Sequence, residues 1–148
     1  MLQIIDTGAG LRSKCYPAIR RNFLYMNILS GSQPHPLSGS LDDCVFCDII
    51  TGKAQGIVHY RDDDLIVIKN RLNWVPVMLL AMPTTHISQD DLWSSPMFSK
   101  LTEVALEMGH KFCPNGFRLL SNFGSDGLQS QSHGHLHVLG GMQLGLYV

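Results

Sequence analysis

Residues 133–140 read His-Gly-His-Leu-His-Val-Leu-Gly, and this period-two alternation commits the stretch to an extended strand. On such a strand His133, His135 and His137 share one face while Gly134, Leu136 and Val138 share the other. Leu136, Val138 and Leu139 can then enter a core while three imidazoles line a surface. A strand with faces this unlike belongs in a sheet covered on its apolar side. The chemistry of the comb stays open here, because imidazole is a metal ligand, a proton carrier near neutral pH and a nucleophile able to take a nucleotidyl group. A metal site would use non-adjacent comb positions plus a ligand from elsewhere, leaving at least one histidine for other work.

The rest of the chain supplies such a sheet. "IVHY", "LIVIKN", "VMLLAM" and "FRLLSN" read as further strands, with Asp62 to Asp64 as the solvated turn between the first two. Val45 to Thr51 reads as a short helix ended by Gly52. Between Met97 and Phe112 the residues Phe98, Leu101, Val104, Ala105, Met108 and Phe112 recur at three- and four-residue steps, the stripe of an amphipathic helix. Pro114, Asn115 and Gly116 end it, and a Gly- and Ser-rich loop over 123–132 leads to the comb. The expected fold is α+β: a mainly antiparallel sheet of about five strands with one long helix on one face.

A chain of 148 residues can bury the core of one domain without disulfides. Eleven basic against twelve acidic residues give a net charge of −1, which excludes a nucleic-acid footprint. No stretch approaches the roughly 20 apolar residues that cross a membrane. Cys44 and Cys47 form C-x-x-C while Cys15 and Cys113 stand apart, which suits reduced thiols or a metal and a reducing, cytoplasmic compartment. Residues 1–41 differ: Asp6 is their only acid, and "SGSQPHPLSGS" has linker composition. They read as a disordered extension before a domain at 42–148, whether as a targeting peptide, a flexible arm or a segment upstream of a start at Met26.

"QSQSHGHLHVLGG" resembles the His-φ-His-φ-His-φ-φ pattern, with φ apolar, of the nucleotide-binding branch of the histidine triad (HIT) family; Gly134 is its weakest match. "CVFCDIITGKA", "YRDDDLIVI", "MPTTHISQ" and "RLLSNFGSDGLQS" extend the resemblance from about Cys44 to Gly141. It implies a homodimeric HIT fold without organic cofactor, acting as a purine nucleoside phosphoramidase or nucleotidyl hydrolase on nucleoside monophosphates bearing a leaving group. His135 would attack the α-phosphorus and leave a nucleotidyl-imidazole for water to hydrolyse. His137 would hydrogen-bond the phosphate, Ser130 would sit by the leaving group, and Asn122 and Asn70 would lie at nucleotide-binding positions. The resemblance also implies a structural zinc on Cys44, Cys47, His86 and His133.

Two residues depart from the family pattern. Met78 stands where many members carry a fourth histidine that helps to orient the nucleophile, and Asn70 stands where a ribose-binding acid is usual. They motivate an alternative: a nucleotide-binding, zinc-stabilised interaction protein with weakened catalysis. A third reading is an unrelated metalloenzyme using all three comb histidines as ligands. Trp74 and Trp93 read as packing residues, and His35, His59 and His110 as surface residues.

Overall fold

The computed structural model describes residues 43–146, so the expected extension over 1–41, with Cys15 and His35, lies outside the described residues. The chain runs α1 (Val45–Ile50), β1 (Val58–Arg61), β2 (Leu65–Lys69), β3 (Val77–Pro83), α2 (Gln89–Ser94), α3 (Met97–Phe112), β4 (Phe117–Leu120) and β5 (Leu136–Gly140). The five strands form an antiparallel sheet in the order β1-β2-β3-β5-β4. After β3 the chain crosses through both helices to the edge strand β4, then returns to insert β5 between β3 and β4. This insertion carries the end of the comb into the centre of the sheet.

β2 and β3 carry nearly unbroken apolar runs because both of their faces are covered. On one face Leu65, Val67, Leu79, Ala81, Leu136 and Val138 pack against Leu101, Val104, Ala105 and Met108, the stripe read from the sequence of α3. On the other, Ile66, Ile68, Leu80 and Met82 pack against Phe46 and Ile50 of α1. Helix α1 ends as its sequence requires: Thr51 caps it and Gly52 follows in the left-handed region at φ +79°. The acidic run is the tight β1–β2 turn, where Asp62 accepts hydrogen bonds from the amides of Asp64 and Leu65, and Lys100 of α3 bridges Asp62 and Asp64.

The comb is not one continuous strand. β5 begins at Leu136, so only His137 lies within it. The neighbouring β3 ends at Pro83, which has no N–H to continue the ladder, and α2 takes over. The amide of Gly134 donates to the carbonyl of Ile87 at 2.7 Å, and the main chain of His135 bonds to the side chain of Gln89. His133 and His135 are not displayed on an open surface either; they are 0 % and 4 % exposed, with the ring of Phe46 edge-on to both. Leu139 is only half-buried, whereas Leu136 and Val138 enter the core as expected.

Two smaller expectations also change. His59 is half-buried with its ring edge-on to Phe112, and burial lowers its pKa; His110 is exposed as expected. Trp93 packs on Phe98 with ring centroids 4.3 Å apart, but Trp74 sits in the β2–β3 loop with 76 % of its surface exposed, too far out to be a packing residue.

Gly134 breaks the apolar alternation because the comb is pressed onto the start of α2. A Cβ there would lie 2.8 Å from the carbonyl oxygen of Ser88 and 3.0 Å from Cβ of Leu92. Main chain cannot move aside as a flexible side-chain tip can. Gly134→Ala is therefore expected to lower stability by about 1–3 kcal/mol through overpacking, measured by urea denaturation with an unchanged m-value.

Candidate active site and metal centre

Helix α1 opens on two thiols. Cys44 is its N-cap, its Sγ accepting from the amide of Cys47 at 3.5 Å, and the three-residue spacing puts both sulfurs on one side of the first turn. The loop after β3 brings His86 to them, and the segment before β5 brings His133. Nδ1 of His133 lies 3.6 Å from the Sγ of each cysteine, and Nδ1 of His86 lies 3.3 Å from Sγ of Cys47. The four ligand atoms all fall within 4.8 Å of one another.

This donor set fits a tetrahedral metal ion. With metal–sulfur bonds of about 2.3 Å and metal–nitrogen bonds of about 2.0–2.1 Å, sulfur and nitrogen ligands stand about 3.5 Å apart. The second contact of His133 supports the same role. Its Nε2 faces the carbonyl of Pro83 at 3.0 Å; a carbonyl only accepts, so Nε2 carries the proton and Nδ1 turns a lone pair to the sulfurs. Burial lowers the pKa of His133 to about 4, keeping it neutral as a ligand must be, and burial with Cys44 beside it raises the Cys47 thiol to about 11. Of the comb only His133 belongs to this group, so three-histidine ligation finds no support among the described residues.

His135 has the opposite tautomer. Its Nδ1 lies 2.8 Å from the carbonyl of His133, so Nδ1 donates and Nε2 keeps the lone pair. Burial lowers its pKa, which holds the imidazole neutral. His135, His137 and Ser130 line one cleft of about 990 Å³ together with Asn70. Phe46, Ile49, Ile57, Ile68, Leu72 and Leu80 make an apolar wall, while Lys69, Arg71 and Gln131 add polar groups. An apolar slot with a few convergent polar groups is the usual form of a small-ligand site.

His137 is the least settled of the three. Its pKa is lowered to about 4, by burial and then by the adjacent His135, whose ring centroid is 4.9 Å away. Its Nε2 is buried without a hydrogen-bond partner among the described residues. In the β3–β5 register Leu80 lies opposite His137 and Met78 opposite Leu139, so Met78 is diagonal to His137 on the same face. Met78 is buried, and a thioether is only a weak acceptor.

The structure thus gathers Cys44, Cys47, His86 and His133 in one cluster and His135, His137, Ser130 and Asn70 around one cleft. Asn122 is the exception: β4 stops at Leu120, so Asn122 lies beyond the strand expected to carry it and outside the cleft lining. Asn70 follows β2 as expected, its Oδ1 accepting from the amide of Leu72 at 3.0 Å to shape the next turn. The sequence reading missed Phe46, whose ring meets both His133 and His135 edge-on, and Gln89. It also missed α2, although Ser88 followed three residues later by Asp91 is a helix-start signal, and Ser88 does cap it.

Comparison with known proteins agrees with this geometry. The family described as "Scavenger mRNA decapping enzyme C-term binding" matches residues 43–145. An uncharacterized HIT-like protein of Chlamydia muridarum is 37 % identical over 105 residues, covering 68 % of this chain and 83 % of its own. A HIT family hydrolase from Clostridium thermocellum superposes with a TM-score of 0.67 at 28 % identity, covering 74 % of this chain and 99 % of its own. A zinc-bound histidine triad family protein from Mycobacterium smegmatis superposes with a TM-score of 0.54 at 25 % identity, covering 67 % and 75 %. The chain belongs to the histidine triad family.

Proposed function

We propose that the protein is a nucleotidyl hydrolase that releases purine nucleoside monophosphates by cleaving a phosphoramidate or phosphoanhydride bond at the α-phosphorus through His135. The observation that carries this reading is the 2.8 Å contact between Nδ1 of His135 and the carbonyl of His133. The Nδ1–H of His135 is committed to this carbonyl, so a neutral, unprotonated Nε2 is left for the cleft. That nitrogen attacks the α-phosphorus in line, the bond from phosphorus to the leaving group breaks, and the leaving group departs with the electron pair and takes up a proton.

The resulting nucleotidyl-imidazolium keeps its Nδ1–H on the carbonyl of His133, which stabilises the positive charge. Water then attacks phosphorus and releases a proton to solvent, balancing the one the leaving group took up; the N–P bond breaks, and nucleoside monophosphate leaves with neutral His135 restored. His137 donates to the phosphate oxygens and Ser130 lies at the leaving-group side, while the apolar wall with Asn70 receives the nucleoside. A substrate carrying a slowly hydrolysed nucleotide is expected to give a mass increment on the peptide bearing His135. His135→Ala is expected to abolish both adduct and turnover while retaining the circular dichroism of the parent, and a fully active His135→Ala would end the proposal.

The metal at Cys44, Cys47, His86 and His133 is, on this reading, zinc, and it is structural because all four positions are protein ligands. Such an ion would tie α1 to the loop after β3 and to the segment before β5. Native mass spectrometry is expected to find one zinc per chain. At a free metal level about 1,000 times the dissociation constant it contributes about 4 kcal/mol; stripping it with a chelator is then expected to lower Tm by about 15 °C or more.

The protein is further proposed to act as a homodimer. The edge strand β4, where Leu120 is 40 % exposed, supports such pairing, and light scattering is expected to give twice the chain mass.

One observation favours the alternative of a nucleotide binder with weakened catalysis: the orphaned Nε2 of His137 diagonal to Met78. A net hydrogen bond to a buried group is worth about 1 kcal/mol. On that alternative the protein binds AMP without turnover, and Met78→His restores hydrolysis measured with a fluorogenic phosphoramidate. On the main reading the unchanged protein already turns over.

A further inference from the structure

Gln89, the first residue of α2, is 2 % exposed, and a carboxamide so deeply buried must find hydrogen-bond partners. It finds them on His135 and Ser121. Its Oε1 accepts from the amide N–H of His135 at 2.9 Å, and its Nε2 donates to the carbonyl of His135 at 3.1 Å and to Oγ of Ser121 at 3.3 Å. Oγ of Ser121 donates to the same carbonyl at 3.0 Å. The reverse amide orientation would set acceptor against acceptor and donor against donor, so this one is required.

These two bonds are the pair that a residue on an adjoining antiparallel strand would make. On the β4 side of His135 no strand continues, because β4 has ended at Leu120. The side chain of Gln89 stands in for the missing strand at His135. Immediately before it, Gly134 is held by the carbonyl of Ile87, so the approach to α2 grips two consecutive residues of the segment. Neither Gln89 nor Ser121 lines the cleft.

We propose that Gln89, assisted by Ser121, is a positioning residue of the nucleophile: its carboxamide fixes the main chain at His135 and so aims the ring into the cleft. The proposal rests on the reading of His135 as nucleophile. Aim matters because the Nδ1–H bond to the carbonyl of His133 spans only two residues, and a small rotation of the main chain at His135 breaks it. Without Gln89 the N–H of His135 would also be buried and unpaired, and its C=O would keep only Ser121.

The test uses Gln89→Met, which keeps length and removes both hydrogen bonds, and Gln89→Glu, which keeps an acceptor for the amide but loses the donor for the carbonyl. For the full chain, kcat and KM on a nucleoside phosphoramidate, the Kd for AMP and the ¹⁵N NMR tautomer signature of His135 are measured. Gln89→Met is expected to lower kcat by about tenfold or more through misalignment while the Kd for AMP stays within about threefold. His135 is expected to change from a single Nδ1–H form to a mixture, with Gln89→Glu intermediate.

A folded Gln89→Met with parental kcat and an unchanged tautomer overturns the proposal, as does a loss of kcat matched by an equal loss of AMP affinity. If Gln89→Met does not fold, Gln89→Glu and Ser121→Ala are judged by the same two criteria. If the unchanged protein forms no adduct, the nucleotidyl-histidine reading falls, and the tautomer comparison alone decides whether Gln89 positions His135.

Discussion

The hydrogen bond from Nδ1–H of His135 to the carbonyl of His133 is the contact on which the arrangement of both sites turns. Two residues earlier, His133 gives its Nε2–H to the carbonyl of Pro83. A backbone carbonyl can only accept, so each bond dictates which nitrogen keeps a proton, and the two histidines are set in opposite tautomers. The lone pair of His133 faces two cysteine sulfurs; that of His135 is left for the cleft. Burial holds both rings neutral, and a protonated ring could serve neither as ligand nor as nucleophile.

Helix α1 joins the two sites in one body. Its first turn holds Cys44 and Cys47, its Phe46 ring meets both His133 and His135 edge-on, and Val45, Phe46 and Ile49 form part of the cleft wall. Its inner face packs on Ile66, Ile68, Leu80 and Met82, so the sheet fixes its distance from the comb. Among the described residues the burial that results leaves one buried side-chain nitrogen without a hydrogen-bond partner, Nε2 of His137. It lies diagonal to Met78, whose thioether is only a weak acceptor.

The elements legible in the sequence are those with a clear period. Helix α3 is bounded by Met97 and Phe112 as its stripe indicates, because one face of a lone helix must meet a sheet whatever lies beneath. The runs around Leu65–Lys69 and Val77–Pro83 are strands because β-branched and aliphatic residues without breaks suit a sheet buried on both faces. The comb itself misled in part. Its alternation is that of a strand, but its first half is held by Gln89, 46 residues away from His135, at a place where the edge strand β4 has already ended. Periodicity reports local preference and carries no record of where a partner strand stops.

What the amino-acid sequence determined by itself was the list of chemical groups and their order: two thiols three residues apart, a lone histidine after a long apolar run, and three histidines in alternation. The resemblance to a family rests on that list, and it implies the metal-ligand set that the structure then gathers in one cluster. Which nitrogen of each histidine is free, which rings are buried, and what holds the main chain at His135 were decided only by the tertiary structure. Those properties depend on carbonyls and a carboxamide brought from Pro83 and Gln89, and hydrogen bonds between groups so distant in the chain exist only once the sheet has closed around them.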